Sequence, residues 1–298
     1  MNTKTKKKTN SFGVTPYLFV LPGIILFFLI AVIPIFQTIG LSFTDWDGVK
    51  PLNTMKFIGF DNYEKVITGE EFFHAIKNNV LWALVSVTVP IAIGVIQANV
   101  IVNSKVKCKN LFQLLLFLPQ ILSSMIMSIM WLAIYDPATG LLNGILDAVG
   151  LDALIQPWLG SKETAIWCLL IMSVWSSYGF NTIIYCTAIR AVDGSMYEAA
   201  KIDGANELQL FFKITLPAIS KTTTTLMLLS LIGAFKVFDV VLQMTKGGPG
   251  YNTYVISYYL YQTAFTSNKI GVGCAIAVLL TMLVLVVSNV FQWLRKEK

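Results

Sequence analysis

A chain of 298 residues that is 55% hydrophobic and 13% charged, with a mean hydropathy of +0.68, is too apolar for an ordinary soluble domain, which carries roughly 25% charged residues. Four cysteines without CxxC or metal-ligand spacing and a single histidine, His74, argue against a zinc site or a disulfide scaffold. The net charge of +6 follows membrane topology and calls for no nucleic-acid partner.

Apolar runs of about 20 residues, enough to cross a ~30 Å hydrocarbon core, recur at 17–41, 79–102, 111–134, 164–188, 220–242 and 270–293. The expected fold class is an all-α membrane protein with six transmembrane helices. A six-span transmembrane domain over 17–293 sits between a basic segment, 1–16, and a short C-terminal segment, 294–298. Lys4, Lys6, Lys7 and Lys8 precede a first run too long for the apolar region of a secretory signal, and further spans follow, so a retained helix is expected.

With the N-terminus inside, Lys105, Lys107, Lys109, Arg190, Lys201, Lys213, Lys221, Arg295, Lys296 and Lys298 fall on the same side as the first four lysines. Most acidic residues fall outside. This positive-inside pattern places both termini in the cytosol.

The first span carries Pro22, Gly23 and Pro34 and is expected to bend. In the outer loop 42–78, Phe60, Tyr63 and Ile67, then Phe72, Phe73 and Ile76, have the spacing of short helices. The outer segment 138–160 aligns Leu141, Leu142, Ile145, Leu146 and Val149 on one helical face, as in a helix at the membrane interface; a substrate gate is the alternative. Gly-rich Lys246–Gly250 marks turns. No GxxxxGK[ST] motif occurs, so any ATP hydrolysis must come from another chain.

The cytosolic loop 189–219 is the most informative stretch. Ser195-x-x-Glu198 has capping-box spacing, helix formers lead to Gly204 as a C-cap, and a second helical stretch runs to Leu216-Pro217. Small residues Ala199, Ala200 and Ala205 beside Met196, Tyr197 and Ile202 suit docking in the groove of a soluble partner. A connector packed on its own bundle is the competing reading.

Glu198-Ala-Ala200, Asp203-Gly-Ala205, Ile214 and Leu216-Pro217 resemble the EAA loop of binding-protein-dependent ABC transporter permeases. Leu21-Pro22-Gly23, Ser42-Phe-Thr44, Phe57 to Tyr63, Phe238-Asp239 and Thr245 to Pro249 are similar to the carbohydrate-uptake branch, larger-subunit class. The resemblance implies a type I ABC importer permease fold with no cofactor of its own, ATP and Mg being bound by partner ATPases. It also implies a second homologous permease in a heterodimer, two ATPase subunits, an extracellular or periplasmic solute-binding protein, a sugar or oligosaccharide substrate, and a bacterial inner (cell) membrane location. The ATPase-coupling residues would be Tyr197, Glu198, Ala199, Ala200, Asp203, Gly204, Ala205, Leu216 and Pro217. None would be catalytic.

Polar groups inside spans tend to face a cavity or a partner. The candidates for a substrate path are Trp175, Ser176, Ser177, Phe180 and Asn181 in the fourth span, and Ser230, Gly233, Phe235, Lys236 and Asp239 in the fifth. Lys236 and Asp239 have the spacing of a pair on one helix face. Gln97, Asn99, Gln120, Ser123 and Ser124 are expected to line the path or to bridge helices. An ion-coupled secondary transporter is the alternative function, although the spans offer only Asp239 as a carboxylate. A membrane scaffold that transports nothing is a third.

Overall fold

The computed structural model describes residues 15–103 and 107–296. Most of the basic N-terminal segment, Lys105 and the last two residues of segment 294–298 lie outside them. The described residues are helical apart from loops and an isolated bridge between Thr44 and Phe57.

The first apolar segment is α1 (Thr15–Phe27), a π turn (Phe28–Val32) and α2 (Ile33–Leu41). Pro34 has no N–H for the carbonyl four residues back, and the backbone widens into the π turn just ahead of it. The expected bend thus has a local cause. This segment packs chiefly on the last helix and leaves Phe19, Phe27, Ile30 and Phe36 more than half exposed, as a lipid-facing surface requires.

Next come α3 (Asp61–Thr68) and α4 (Glu70–Asn103). Phe72, Phe73 and Ile76 are not in a separate outer helix, as their spacing suggested: they form the first turns of α4. At 34 residues, α4 is about 50 Å long and outreaches the hydrocarbon core, so its ends can belong to the two opposite faces.

The third apolar run is two helices, α5 (Lys109–Ile121) and α6 (Ser124–Ile134), bent by 95°. Pro119 and the Ser123 N-cap, whose hydroxyl accepts from Ile126 N, account for the break. A short helix, α7 (Leu141–Ala148), follows. It buries only Asn143 and exposes Leu141, Ile145 and Val149.

The long α8 (Ala165–Arg190) lies against α4 and α5. At the α4 crossing a Cβ on Gly94 would stand 2.7 Å from Asn181 Cβ, and Gly179 meets the Leu116 carbonyl of α5 with no room for a side chain. Small residues let membrane helices approach this closely. Thr182 Oγ1 donates to Gln97 Oε1 at 2.9 Å across the same seam.

The loop after α8 contains α9 (Gly194–Ile202), α10 (Glu207–Leu210), a π turn (Phe211–Thr215) and α11 (Leu216–Ala218). Pro217 stands two residues beyond this π turn, as Pro34 does beyond the first. The chain then enters α12 (Ser220–Phe235) through a 68° bend.

The fifth run was expected to be one helix to residue 242. It stops at Phe235, and a separate α13 (Asp239–Met244) follows. Two further helices, α14 (Ile256–Tyr261) and α15 (Ile270–Lys296), complete the chain.

Among the described residues four helical segments are long and apolar enough to cross a membrane, and so are the two bent pairs when each is taken as one span. Three buried clusters hold the bundle: one around Leu169, Met172, Phe235 and Val241, one around Val95, Tyr185 and Ile219, and one around Val66, Ile256 and Ile276. Fully buried Asn79 bridges the first and third. Its Nδ2 donates to Ala234 O at 2.9 Å and its Oδ1 accepts from Ile256 N at 2.8 Å, so the polar group is satisfied at both ends.

Candidate functional site: the 189–219 loop and the broken helices

The loop is built by local hydrogen bonding. Asp193 caps α9, its carboxylate accepting from Ser195 N at 2.9 Å. That bond holds the Asp193 carboxyl below the usual carboxylate range. The capping box expected at Ser195 and Glu198 is not formed, because Ser195 gives its amide to Asp193 and already lies inside the helix. The reciprocal box occurs one helix later, between Asn206 and Gln209, with both bonds at 2.9 Å.

Gly204 ends α9 at φ +80°. Ala205 N bonds to Ala200 O at 2.9 Å and Gly204 N to Lys201 O at 3.1 Å, the paired pattern of a Schellman cap. The positive φ reverses the chain sharply between α9 and α10. Tyr197 then ties the hairpin together, its hydroxyl 2.9 Å from that of buried Thr215.

Glu198, Lys201 and Glu207 line a cavity of about 290 Å³ with Asn99 and Asn103 from the end of α4. Elsewhere on the loop Met196, Ile202, Leu208 and Phe212 are exposed, Ile202 at 86%. Ala199, Asp203, Gly204 and Pro217 are exposed, while Ala200, Ala205 and Leu216 are half-buried.

The candidate path residues divide between surface and packing. Ser176 and Ser177 are half-buried, and both hydroxyls bond back to Ser173 O, at 2.9 and 2.8 Å. Phe180 is 37% exposed, and Trp175 stacks edge-on against Trp131 at 5.7 Å. Asn181 is buried against Gly94, in the α4–α8 seam. On α12, Ser230 is half-buried, Gly233 is exposed with open space where a Cβ would be, and Phe235 is 3% exposed within the first cluster.

Lys236 and Asp239 are both exposed and form no ion pair. Their expected common helix face does not exist, because the helix breaks between them at Phe238 (φ −146°, ψ −60°). Asp239 Oδ2 instead accepts from Ser124 Oγ at 2.9 Å, at the start of α6. Of the other interhelical candidates, Gln97 bridges α4 and α8 by accepting from Thr182, whereas Asn99 accepts from Asn103 within α4.

Two features had no signal in spacing. Asn78 Nδ2 reaches Asn252 O at 3.0 Å and Tyr254 O at 2.8 Å, fixing the loop before α14. Trp131 Nε1 is buried without a hydrogen-bond partner among the described residues. An Asn in an apolar run and a Trp in a span are too common to single out by type.

An all-helical bundle with two broken helices and a capped, apolar-faced hairpin between long helices defines the membrane-embedded half of a transporter. Residues 90–297 match the family model described as "Binding-protein-dependent transport system inner membrane component", and the chain belongs to this family as an ABC transporter permease. It is 37% identical to the probable ABC transporter permease protein YurN of Bacillus subtilis (strain 168), over 94% of this chain and 95% of that one. It is 34% identical to the diacetylchitobiose uptake system permease protein NgcF of Streptomyces coelicolor, over 88% of this chain and 76% of that one. A solved bacterial alginate ABC transporter in complex with alginate pentasaccharide-bound periplasmic protein is similar at a TM-score of 0.81 and 25% identity, covering 93% of this chain and 92% of that one.

Proposed function

We propose that this permease crosses the bacterial inner membrane six times, with both termini in the cytosol, and imports a sugar or oligosaccharide delivered by an external binding protein. It pairs with a second, similar permease and with two ATPases that bind ATP and Mg. The observation that carries the coupling role is the α9–α10 hairpin: rigidly capped, tied by Tyr197, and presenting Met196, Ile202, Leu208 and Phe212 outward. Such a hairpin transmits force from a soluble subunit to α8 and α12, between which it is inserted.

The saccharide class draws support from the relatives: one is a diacetylchitobiose uptake permease and another carries alginate. The ion-coupled alternative has no support from them, and Asp239 is engaged by Ser124. Co-purification tests the docking role. Ile202→Glu should lower ATPase recovery with the tagged permease without lowering permease in the membrane. Full recovery with both Ile202→Glu and Phe212→Glu would refute docking on this face.

A further inference from the structure

At the end of α4 opposite the 189–219 hairpin lies a second cavity, about 610 Å³, between two walls of the chain. One wall is the loop after α2 together with α3; the other is the α14–α15 hairpin. Its shape is fixed by the backbone. Gly271 N donates to Trp46 O at 2.9 Å, and Gly271 packs on the Thr44 carbonyl with no room for a Cβ. Asn62 Nδ2 donates to Ser42 O and Thr44 O at 2.9 and 2.8 Å.

The lining has unused hydrogen-bonding capacity. Asn62 is 2% exposed and Thr263 8% exposed; neither Asn62 Oδ1 nor the Thr263 hydroxyl has a hydrogen-bond partner among the described residues, and both oxygens keep solvent access on the cavity wall. Two oxygens with free hydrogen-bonding capacity on one cavity wall are available to the hydroxyls of a ligand. Gln262 lies beside them with no side-chain hydrogen bond among the described residues, and Trp46 and Tyr259 supply aromatic surface. The volume is that of a small-molecule site.

We propose that this cavity is a separate binding site for a neutral saccharide of one or two rings, on the face away from the ATPases. Amide and hydroxyl groups match sugar hydroxyls, and the aromatic rings match the apolar C–H face of a pyranose. Asp45, Asp47 and Glu71 outnumber Lys65 and Lys269 around the cavity, so a uronate is disfavoured. The saccharide class rests on the importer reading; the existence and polarity of the site do not.

The test uses the full chain in lipid nanodiscs with maltose, cellobiose and xylobiose as probes and digalacturonate as the charged control, read by saturation-transfer NMR and calorimetry. At least one neutral disaccharide should bind, more tightly than digalacturonate. Thr263→Val with Gln262→Leu should weaken it by about tenfold or more, as expected for two lost hydrogen bonds, at an unchanged melting temperature. Gln262→Leu alone serves if the double variant fails to fold. The site is refuted if no neutral disaccharide binds, or if binding survives these changes and is lost in Gly233→Trp, which would place the sugar along α12. Retained ATP-driven uptake alongside either refutation would leave the importer reading standing. Binding at this cavity without ATP-driven uptake in the assembled complex would sink the importer reading alone.

Discussion

Ser124 donates a hydrogen bond to Asp239 across 2.9 Å, joining the break between α5 and α6 to the break between α12 and α13. Two interrupted helices meet there, end against end. Irregular backbone at membrane depth is tolerated where it is buried in protein or lines a cavity, so this junction is suited to moving during transport. Asp239→Asn keeps an acceptor oxygen and should leave uptake within about twofold of wild type, whereas Asp239→Leu should lower it by roughly tenfold, in line with loss of a bond to a charged group. Transport kinetics with the two variants decide the matter. Loss in Asp239→Asn equal to that in Asp239→Leu would point to a role for the charge itself.

The α4–α5–α8 seam should be intolerant of volume. Gly94→Ala and Gly179→Ala each place a methyl against a packed neighbour that cannot rotate away, Asn181 Cβ in one case and the Leu116 carbonyl in the other. Each should destabilise the bundle by ~1–3 kcal/mol, with Gly179→Ala the worse because its obstacle is backbone. Thermal unfolding in detergent measures this, and Gly144→Ala, which meets only open space, is the control.

Much of this was legible before the structure. Span positions followed from long apolar runs, and Gly204 was readable as a cap because the turn needs a positive φ. The breaks were not. Pro34 and Pro217 signal a bend, but nothing in hydropathy distinguishes a straight 220–242 helix from one that stops at Phe235. The stop is made by tertiary bonds, with Asn79 holding Ala234 O and Ile256 N. The supposed Lys236–Asp239 pair was wrong for that reason: helix spacing predicts a neighbour only while the helix continues. The capping box was misplaced by one helix, since Asp193 competed with Ser195 for the same terminus and prevailed.

Glu198→Lys should abolish uptake while the chain remains in the membrane, because it reverses charge in the cavity between α9 and the end of α4. Gly204→Val should do the same by straining a φ of +80° that a β-branched residue resists. Membrane-fraction immunoblots beside uptake rates separate this outcome from simple loss of the protein. Normal transport in both variants would remove the hairpin from the coupling mechanism.

The N-cap of α9 should weaken in acid. The folded Asp193 carboxyl titrates below its ordinary value of 3.8, so its contribution is fully present above that value and is lost as pH falls through the lower folded value. Protection of the Ser195 amide, its exchange measured against the unstructured rate at the same pH, should therefore fall only below about pH 4, and in Asp193→Ala it should be low throughout. Unchanged protection in the variant would show that another group caps the helix.

The central claim is that ATP, acting through a separate subunit, drives saccharide import through this chain. Uptake of labelled oligosaccharide into proteoliposomes containing the assembled complex tests it most directly. The account predicts uptake that requires both ATP and the binding protein and survives a proton ionophore. Uptake by this chain alone, driven by an ion gradient and abolished by the ionophore, would contradict it.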